Sequence, residues 1–152
     1  MKPYWNSQES LGMELVQQFD SLHSSTVVDL CIIGGGITGI LSAFWLSEMG
    51  IKVALIEKDL LGAGATGRNT GFILTGTVEH YNRAVKLFSK KKAKRIFEFT
   101  VWNQKLIQDL ILSEKIECGY SQDGSLLLAT TEQEGKELIE SFNLLATDGF
   151  CC

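Results

Sequence analysis

The pattern of apolar and polar residues predicts a strand–helix–strand unit in the first half of the chain. Val27–Ile33 is a short, mostly β-branched apolar run, which is typical of a strand buried on both faces. A helical stretch follows, with Gly50 as its stop signal. A second apolar run, Ile51–Ile56, predicts a second strand that ends at Glu57. The apolar positions of the helix cluster on one wide face: Ile40, Leu41, Phe44, Trp45 and Leu46.

Between the first strand and the helix the chain reads GGGITG, which fits G-x-G-x-x-G at Gly34, Gly36 and Gly39. Gly34 allows a tight turn, Gly36 lets the backbone approach a pyrophosphate, and Gly39 lets the helix pack closely on the strands. The helix N-terminus offers N–H groups and partial positive charge to phosphates. Glu57 stands 21 positions after Gly36, near the spacing of about 20 for an acid that binds the adenosine ribose. The unit therefore predicts dinucleotide binding, and the carboxylate disfavours a cofactor with a 2′-phosphate.

A membrane span is the main alternative interpretation of this stretch. Leu30–Leu46 contains no charged residue, and Gly35 to Gly39 fits G-x-x-x-G. However, a run of 17 residues is at the short limit for a span, and three successive glycines make a poor lipid-exposed helix. We therefore expect no integral membrane span.

Composition indicates an ordinary globular protein. The 152 residues are 45% hydrophobic and 21% charged, and the net charge of −4 gives no reason to expect a nucleic-acid partner. Cys31 lies within the first strand and is expected to be a small core residue, which favours a reducing, cytoplasmic location. Glu9 and Glu14 interrupt any signal peptide. The two histidines stand apart from each other and from the cysteines, so no metal site is predicted.

Residues 1–26 form a polar lead-in to the first strand. Tyr4 and Trp5 could dock on the domain surface, and apolar residues from Leu11 to Leu22 recur at helical spacing. A partly ordered tail is the alternative.

After Glu57 comes a glycine-rich segment, GAGATGRNTGFIL, from Gly62 to Leu74. Four glycines within Gly62–Gly71 exclude a packed helix and predict a loop. Thr66, Arg68 and Asn69 offer hydroxyl, guanidinium and amide groups, which suit phosphate or sugar oxygens.

GGGITG, Glu57 and GAGATGRNTGFIL together resemble the FAD-binding start of the D-amino-acid-oxidase-like flavoproteins, which include glycine and sarcosine oxidases. The resemblance implies a Rossmann-like α/β FAD-binding domain, a parallel sheet with helices, as the N-terminal part of a longer protein. It also implies sites along the cofactor. The pyrophosphate is expected to bind at Gly34, Gly36, Ile37, Thr38 and Gly39. The adenosine is expected to bind at Glu57 and Lys58. The phosphates and the ribityl chain are expected to contact Thr66, Arg68 and Asn69. The flavin ring is expected to lie beside Gly71 and Phe72.

The second half of the chain is predicted to be mostly helical. Residues 80–113 read as a helix with Ile96, Phe99, Leu106 and Leu110 on one face. Its basic run, Lys90, Lys91, Lys92, Lys94 and Arg95, is interpreted as a solvated face. Phe97 and Trp102 are expected to be packing residues.

The segment from Cys118 to Thr131 predicts a β-hairpin with its turn at Gln122–Gly124. Thr131 and Glu134 fit a capping box. The following helix, which ends near Asp148–Gly149, is predicted to bury Leu138, Ile139, Phe142 and Leu145.

The resemblance divides the chain into three parts: the lead-in, an FAD-binding part at 27–114, and the start of an α+β substrate domain at 115–152. We expect the chain to be a truncated or fragmentary product of a longer flavoenzyme.

The implied activity is FAD-dependent oxidation of an amine or amino acid by hydride transfer to the flavin, with no catalytic residue identified in this chain. Three alternatives remain open. The first is a related flavoprotein with another substrate, such as glycerol phosphate or a tRNA-linked group, and the second is an NAD-dependent dehydrogenase. The third is a non-catalytic fragment that binds nucleotide weakly or not at all.

Overall fold

The computed structural model describes residues 19–150, so Tyr4, Trp5, most of the predicted lead-in helix and Cys151–Cys152 lie outside the described residues. The chain divides into two compact units, one ending at Gly71 and the other beginning at Phe72. The elements in chain order are β1 (Leu30–Ile33), α1 (Ile37–Glu48), β2 (Val53–Ile56), a 3₁₀ turn (Ala65–Gly67), α2 (Tyr81–Phe88), α3 (Lys90–Ser113) and α4 (Glu132–Asp148).

The first unit confirms the predicted strand–helix–strand arrangement. β1 and β2 pair in parallel, from Leu30 opposite Val53 to Ile33 opposite Ile56. Parallel strands need a crossover connection, and α1 supplies it. The chain leaves α1 near Gly50, whose φ of 79° suits a glycine just past a helix end.

The burial predicted for β1 is wrong. Ile33 is 87% exposed, and Cys31 is also exposed, so it is not a core residue. β1 has the composition of a central strand, but among the described residues β2 is its only neighbouring strand. A two-stranded sheet with one helix cannot cover both of its faces and both of its edges.

The second unit packs α2 against both α3 and α4. The helical region predicted at 80–113 is two helices, because Ser89 adopts a φ of 74° between α2 and α3. Tyr81 and Ala84 of α2 and Ala93 and Phe97 of α3 form the core. The Tyr81 and Phe97 rings meet edge to face with centroids 4.6 Å apart.

The apolar face predicted for α3 is confirmed in part: Ile96, Leu106 and Leu110 are half-buried, but Phe99 is exposed. Ala93 and Phe97 are its buried residues, whereas Phe99 is 62% exposed and Trp102 is exposed as well. Apolar residues occur on more than one side of α3, and packing against Tyr81 selects the side that carries Phe97. The packing role predicted for Phe97 is confirmed. Trp102 is exposed, and its ring contacts that of Phe99 with centroids 5.9 Å apart.

α4 begins at the predicted capping box, in which Thr131 Oγ1 accepts a hydrogen bond from the Glu134 N–H. It ends at Asp148, and Gly149 follows in the left-handed conformation. Its buried residue is Ser141 rather than Ile139 or Phe142, which are both exposed. The remaining predicted positions, Leu138 and Leu145, are half-buried, and Leu145 packs against the core together with Leu144.

Polar contacts hold α4 to the other two helices. The Tyr81 hydroxyl donates to Asp148 Oδ2 at 2.6 Å, and Lys90 Nζ lies 3.0 Å from Asp148 Oδ1. Burial and the bond to Asp148 raise the pKa of Tyr81, so it stays a hydrogen-bond donor. The buried Ser141 hydroxyl donates to Asn82 Oδ1 at 2.9 Å. Ser141 is therefore on the packed face because Asn82 satisfies its hydroxyl.

The predicted hairpin between Cys118 and Thr131 is not formed, and this part of the second unit contains no strand. The turn residue Gly124 has a φ of 80°, but Leu126 and Leu128 are 89% and 83% exposed. A two-stranded hairpin without a third strand or a helix to pack on is marginal in water. Within residues 115–150, the described part of the predicted substrate domain, the regular structure is therefore the helix α4 alone.

Candidate dinucleotide-binding site

The site is built where β1 ends and α1 begins. Gly34 makes the turn with a φ of 109°, in the region that side-chain-bearing residues rarely adopt. Its N–H donates to the Ile56 carbonyl at 2.8 Å, so the turn continues the pairing of β1 with β2. The end of β1 is thus fixed against the strand that leads to Glu57.

Gly39 lies in the first turn of α1, close against the backbone below it. A Cβ atom at this position would collide with the Gly34 carbonyl oxygen and lie 3.4 Å from Ile32 Cγ2. Only a glycine allows α1 to sit this close to the turn. The close packing predicted for the third fingerprint glycine is therefore present.

The N-terminus of α1 has no acidic residue in its first turn and no capping bond from Gly36, its N-cap residue. Thr66, from the glycine-rich loop, accepts a hydrogen bond from the Ile37 N–H through Oγ1 at 2.9 Å. A Cβ on Gly36 would lie 3.2 Å from that same oxygen. The loop and the helix N-terminus therefore meet at Gly36, and the partial positive charge of the helix is not neutralised by an acid of α1.

Glu57 is tied to the fingerprint turn. Its Oε2 accepts from the Gly35 N–H at 2.7 Å, and its Oε1 accepts from the Asp59 N–H at 2.9 Å. These two backbone bonds, that from Asp59 first, lower the pKa of Glu57, so the group stays ionised. An ionised carboxylate has about four lone-pair positions, which leaves room for further donors such as ribose hydroxyls.

Gly35 belongs to the candidate site, although the sequence pattern did not predict it. Its carbonyl accepts from the Gly62 N–H at 2.8 Å, and a Cβ there would collide with Leu61 Cδ2. It therefore joins the fingerprint turn to both Glu57 and the start of the loop. The run of three glycines was the available signal, because G-x-G-x-x-G requires no glycine at this place.

Arg68 and Asn69 shape the loop itself. Arg68 Nε donates to the Gly64 carbonyl at 3.1 Å, and Asn69 Nδ2 donates to the Thr66 carbonyl at 2.7 Å. Asn69 Oδ1 also accepts from the Gly71 N–H at 2.7 Å. These bonds hold the short 3₁₀ turn that presents Thr66 to α1.

Two clefts adjoin at Gly36, Ala65 and Thr66, which line both. The first has a volume of about 670 Å³, and the second has a volume of about 500 Å³. Among the predicted site residues, the first is lined by Gly34, Gly36, Ile37, Thr38, Gly39 and Thr66. The second is lined by Gly36, Glu57, Lys58, Thr66 and Arg68.

The other predicted residues lie apart from these clefts. Asn69, Gly71 and Phe72 line neither of them, and the Phe72 side chain is 78% exposed. Lys58 lines the second cleft, but its ammonium group is highly exposed and lies 3.8 Å from Asp59. The residues predicted at the pyrophosphate and ribose are thus brought together, and those predicted at the flavin ring are not.

This arrangement suits a pyrophosphate and a ribose. Glycines line the wall beside the α1 N-terminus, and a Cβ at Gly36 or Gly39 would crowd Thr66 Oγ1 or the Gly34 backbone. An ionised acid, Glu57, stands at the neighbouring strand end. Within residues 19–150 no group of three or more acidic, histidine or cysteine side chains could hold a metal ion. No helix in the same range is long and apolar enough to cross a membrane.

A family model described as FAD-dependent oxidoreductase (DAO) matches residues 29–150. The chain belongs to this family. It is 30% identical over 116 residues to gamma-glutamylputrescine oxidoreductase of Escherichia coli, which covers 76% of this chain and 27% of that protein. It is 35% identical over 108 residues to sarcosine oxidase subunit beta of Rhodobacter capsulatus, covering 70% of this chain and 23% of that subunit.

The chain therefore spans about a quarter of the length of these relatives. No solved structure matches it significantly. The family and the observed α/β arrangement agree with a Rossmann-like FAD-binding part at the N-terminal end of the family's fold.

Proposed function

We propose that this chain forms the FAD-binding part of an oxidoreductase that oxidises an amine or an amino acid. The observation that carries the proposal is the junction of Gly35, Glu57 and the α1 N-terminus, where an ionised acid and a helix N-terminus with no acidic residue in its first turn adjoin one open cleft. The names of the two relatives support the substrate class, since one is a gamma-glutamylputrescine oxidoreductase and the other a sarcosine oxidase subunit.

In this proposal the ADP half of FAD lies along the two clefts. The pyrophosphate lies at Gly34–Gly39, beside the N-terminus of α1. There the Ile37 N–H is bound to Thr66 Oγ1, and the Thr66 hydroxyl can still donate its own hydrogen to a phosphate oxygen. Glu57 accepts from the ribose hydroxyls, and Lys58 flanks the adenosine. Arg68 and Asn69 hold the loop that lines the phosphate side.

Gly71 and Phe72 are proposed to lie beside the flavin ring on the basis of the family resemblance alone. A bound flavin would supply the chemistry, by accepting a hydride from the carbon next to the substrate nitrogen. This chain's residues bind and orient the cofactor, and none of them is proposed to be catalytic. The division into an FAD-binding part at 27–114 and a substrate-domain part at 115–152 remains part of the proposal.

A cytoplasmic location also remains a proposal. The two cysteines in the described part of the chain, Cys31 and Cys118, are free thiols, and such cysteines suit a reducing compartment.

Flavin binding and flavin reduction test this function separately. The chain is stripped of flavin, titrated with FAD, and then mixed without oxygen with sarcosine, glycine, gamma-glutamylputrescine or glycerol 3-phosphate. We expect saturable FAD binding and loss of visible flavin absorbance with an amine only. Reduction by glycerol 3-phosphate alone would contradict the substrate class, and an absence of FAD binding would contradict the cofactor.

A further inference from the structure

Gly35, in the turn between β1 and α1, is held in place by residues that follow β2. Its N–H donates to Glu57 Oε2 at 2.7 Å, and its carbonyl accepts from the Gly62 N–H at 2.8 Å. The half-buried Leu61 side chain supplies a third contact, because its Cδ2 occupies the space that a Cβ on Gly35 would fill. Three contacts from residues 57–62 therefore fix the backbone of Gly35.

Leu61, and not the backbone conformation, is the reason that position 35 requires glycine. The φ of Gly35 lies outside the left-handed region, so its backbone would accept an alanine. An alanine Cβ would, however, collide with Leu61 Cδ2 and lie 3.2 Å from Glu57 Cβ. The Leu61 methyl group thus packs on Gly35 next to the side-chain stem of Glu57.

The Glu57 carboxylate receives its orientation from two backbone donors. Its Oε1 accepts from the Asp59 N–H at 2.9 Å, a bond between near neighbours in the sequence. Its Oε2 accepts from Gly35, which is 22 positions away and depends on Leu61 and Gly62 for its place. The carboxylate lines the second cleft, so the direction in which it faces this cleft depends on the packing of Leu61 against Gly35.

We propose that Leu61 is a positioning residue for the adenosine ribose, because it holds Gly35 in the place from which the Gly35 N–H orients Glu57. The inference rests on the proposed function, in which Glu57 accepts from the ribose hydroxyls. Leu61 itself lines neither cleft, so it acts on the ligand only through these two residues. Loss of its methyl group frees Gly35 to move and weakens one of the two bonds that orient the carboxylate.

The experiment uses the full chain with ADP as the probe, and it measures the affinity for ADP and, by nuclear magnetic resonance, the pKa of the Glu57 carboxyl group. Leu61→Ala removes the methyl group, and Gly35→Ala puts a Cβ into the space that this methyl group fills. The double variant, Gly35→Ala with Leu61→Ala, places the new Cβ in the emptied space. Leu60→Ala is the matched control, because it makes the same change at the preceding position, where the side chain is 44% exposed.

We expect each single variant at the Gly35–Leu61 contact to weaken ADP binding about threefold to tenfold. Each should also raise the pKa of Glu57 toward its ordinary value, because the bond from the Gly35 N–H, which lowers this pKa, is weakened. The double variant and Leu60→Ala should match the wild-type chain in both measurements. Should Leu61→Ala fail to fold, Leu61→Val, which also lacks the δ-carbon but keeps more of the packing, should show the same two changes. An unchanged pKa of Glu57 in the folded Leu61 variant would overturn the inference, as would a double variant weaker than either single one.

Glu57→Gln separates the positioning role of Leu61 from a general loss of structure. In a Glu57→Gln background, Leu61→Ala should cause no further loss of ADP affinity, because it acts through the carboxylate. An equal loss in both backgrounds would refute the inference, because it would reduce Leu61 to a structural role. If the wild-type chain binds neither ADP nor FAD, the proposed function fails and the ribose role falls with it. If the wild-type chain binds ADP and Leu61→Ala binds it equally well, only the positioning role is refuted.

Discussion

Replacing Gly39 by alanine should destabilise the first unit, although alanine favours helices. A glycine-to-alanine change in a helix interior is ordinarily stabilising by about 1 kcal/mol. At Gly39 the new Cβ would collide with the Gly34 carbonyl oxygen and lie 3.2 Å from the Gly34 carbonyl carbon. These are backbone atoms, so no side-chain rotation can relieve the overlap.

The magnitude follows from these opposing effects. Forcing an extra methyl group into a close-packed contact costs about 1–3 kcal/mol. An overlap with backbone atoms lies toward the upper end of that range, at about 2–3 kcal/mol, so subtracting the helix-propensity gain of about 1 kcal/mol leaves a net loss of about 1–2 kcal/mol in the first unit. Because the overlap can be relieved only if α1 moves away from Gly34, we also expect the affinity for FAD to fall at least about tenfold.

Gly135→Ala is the matched control. Gly135 lies inside α4, and a Cβ there would meet only Ala129 Cβ at 3.9 Å, an ordinary contact. This change should stabilise the second unit by about 1 kcal/mol and leave FAD binding unchanged. Hydrogen exchange resolved by residue assigns each change to its own unit. Wild-type stability and FAD affinity in Gly39→Ala would refute the close packing of α1 on the turn.

Two further predictions concern charged groups. Glu57→Gln should weaken FAD binding about tenfold, as measured by equilibrium dialysis. The glutamine side chain would turn its NH₂ group, a donor, toward the Gly35 or the Asp59 N–H, which is also a donor. Equal affinity would exclude binding of the ribose by Glu57. The Tyr81 hydroxyl and Lys90 lower the pKa of Asp148, whose side chain is 6% exposed. Ionised Asp148 therefore stabilises the folded chain fully above the ordinary aspartate pKa, and this contribution is lost as pH falls through the lowered pKa. Urea unfolding should therefore show a smaller loss of stability below about pH 4 in Asp148→Asn than in the wild-type chain, and parallel pH curves would contradict this.

The local structure around residues 30–57 could be predicted from sequence because each signal there is local. The turn at Gly34 and the helix stop at Gly50 depend on the backbone of neighbouring residues, and the parallel pairing of the two apolar runs follows from the helix that connects them. The same holds for the capping box at Thr131 and Glu134.

Burial could not be predicted in the same way, because it depends on which partners are present. Isoleucine usually lies in a core, but Ile33 is exposed because, within residues 19–150, β1 pairs with β2 alone and its other edge is open. On α4, Ser141 and not Ile139 lies on the packed face, because the Ser141 hydroxyl bonds to Asn82, which is 59 positions away in the sequence. The role of Gly35 was missed for a related reason, since its bond to Glu57 spans 22 positions.

The candidate site was likewise predicted in part. The fingerprint glycines and Glu57 meet around one pair of clefts, as the spacing predicted. Arg68 and Asn69 carry groups suited to phosphate, but their hydrogen bonds run to carbonyls within the loop, a preference that residue type alone does not reveal.

The binding of the ADP half of FAD is the central claim, and mapping of amide chemical shifts by nuclear magnetic resonance tests it most directly. On addition of ADP, the amides of Gly35, Gly36, Ile37 and Thr66 should shift together and saturably, and FAD should cause the same shifts. The Ser141 amide, in the second unit, should not move with ADP, and FMN, which lacks adenosine, should leave the four amides unchanged. Saturation with FAD that leaves these four amides in place would contradict the claim.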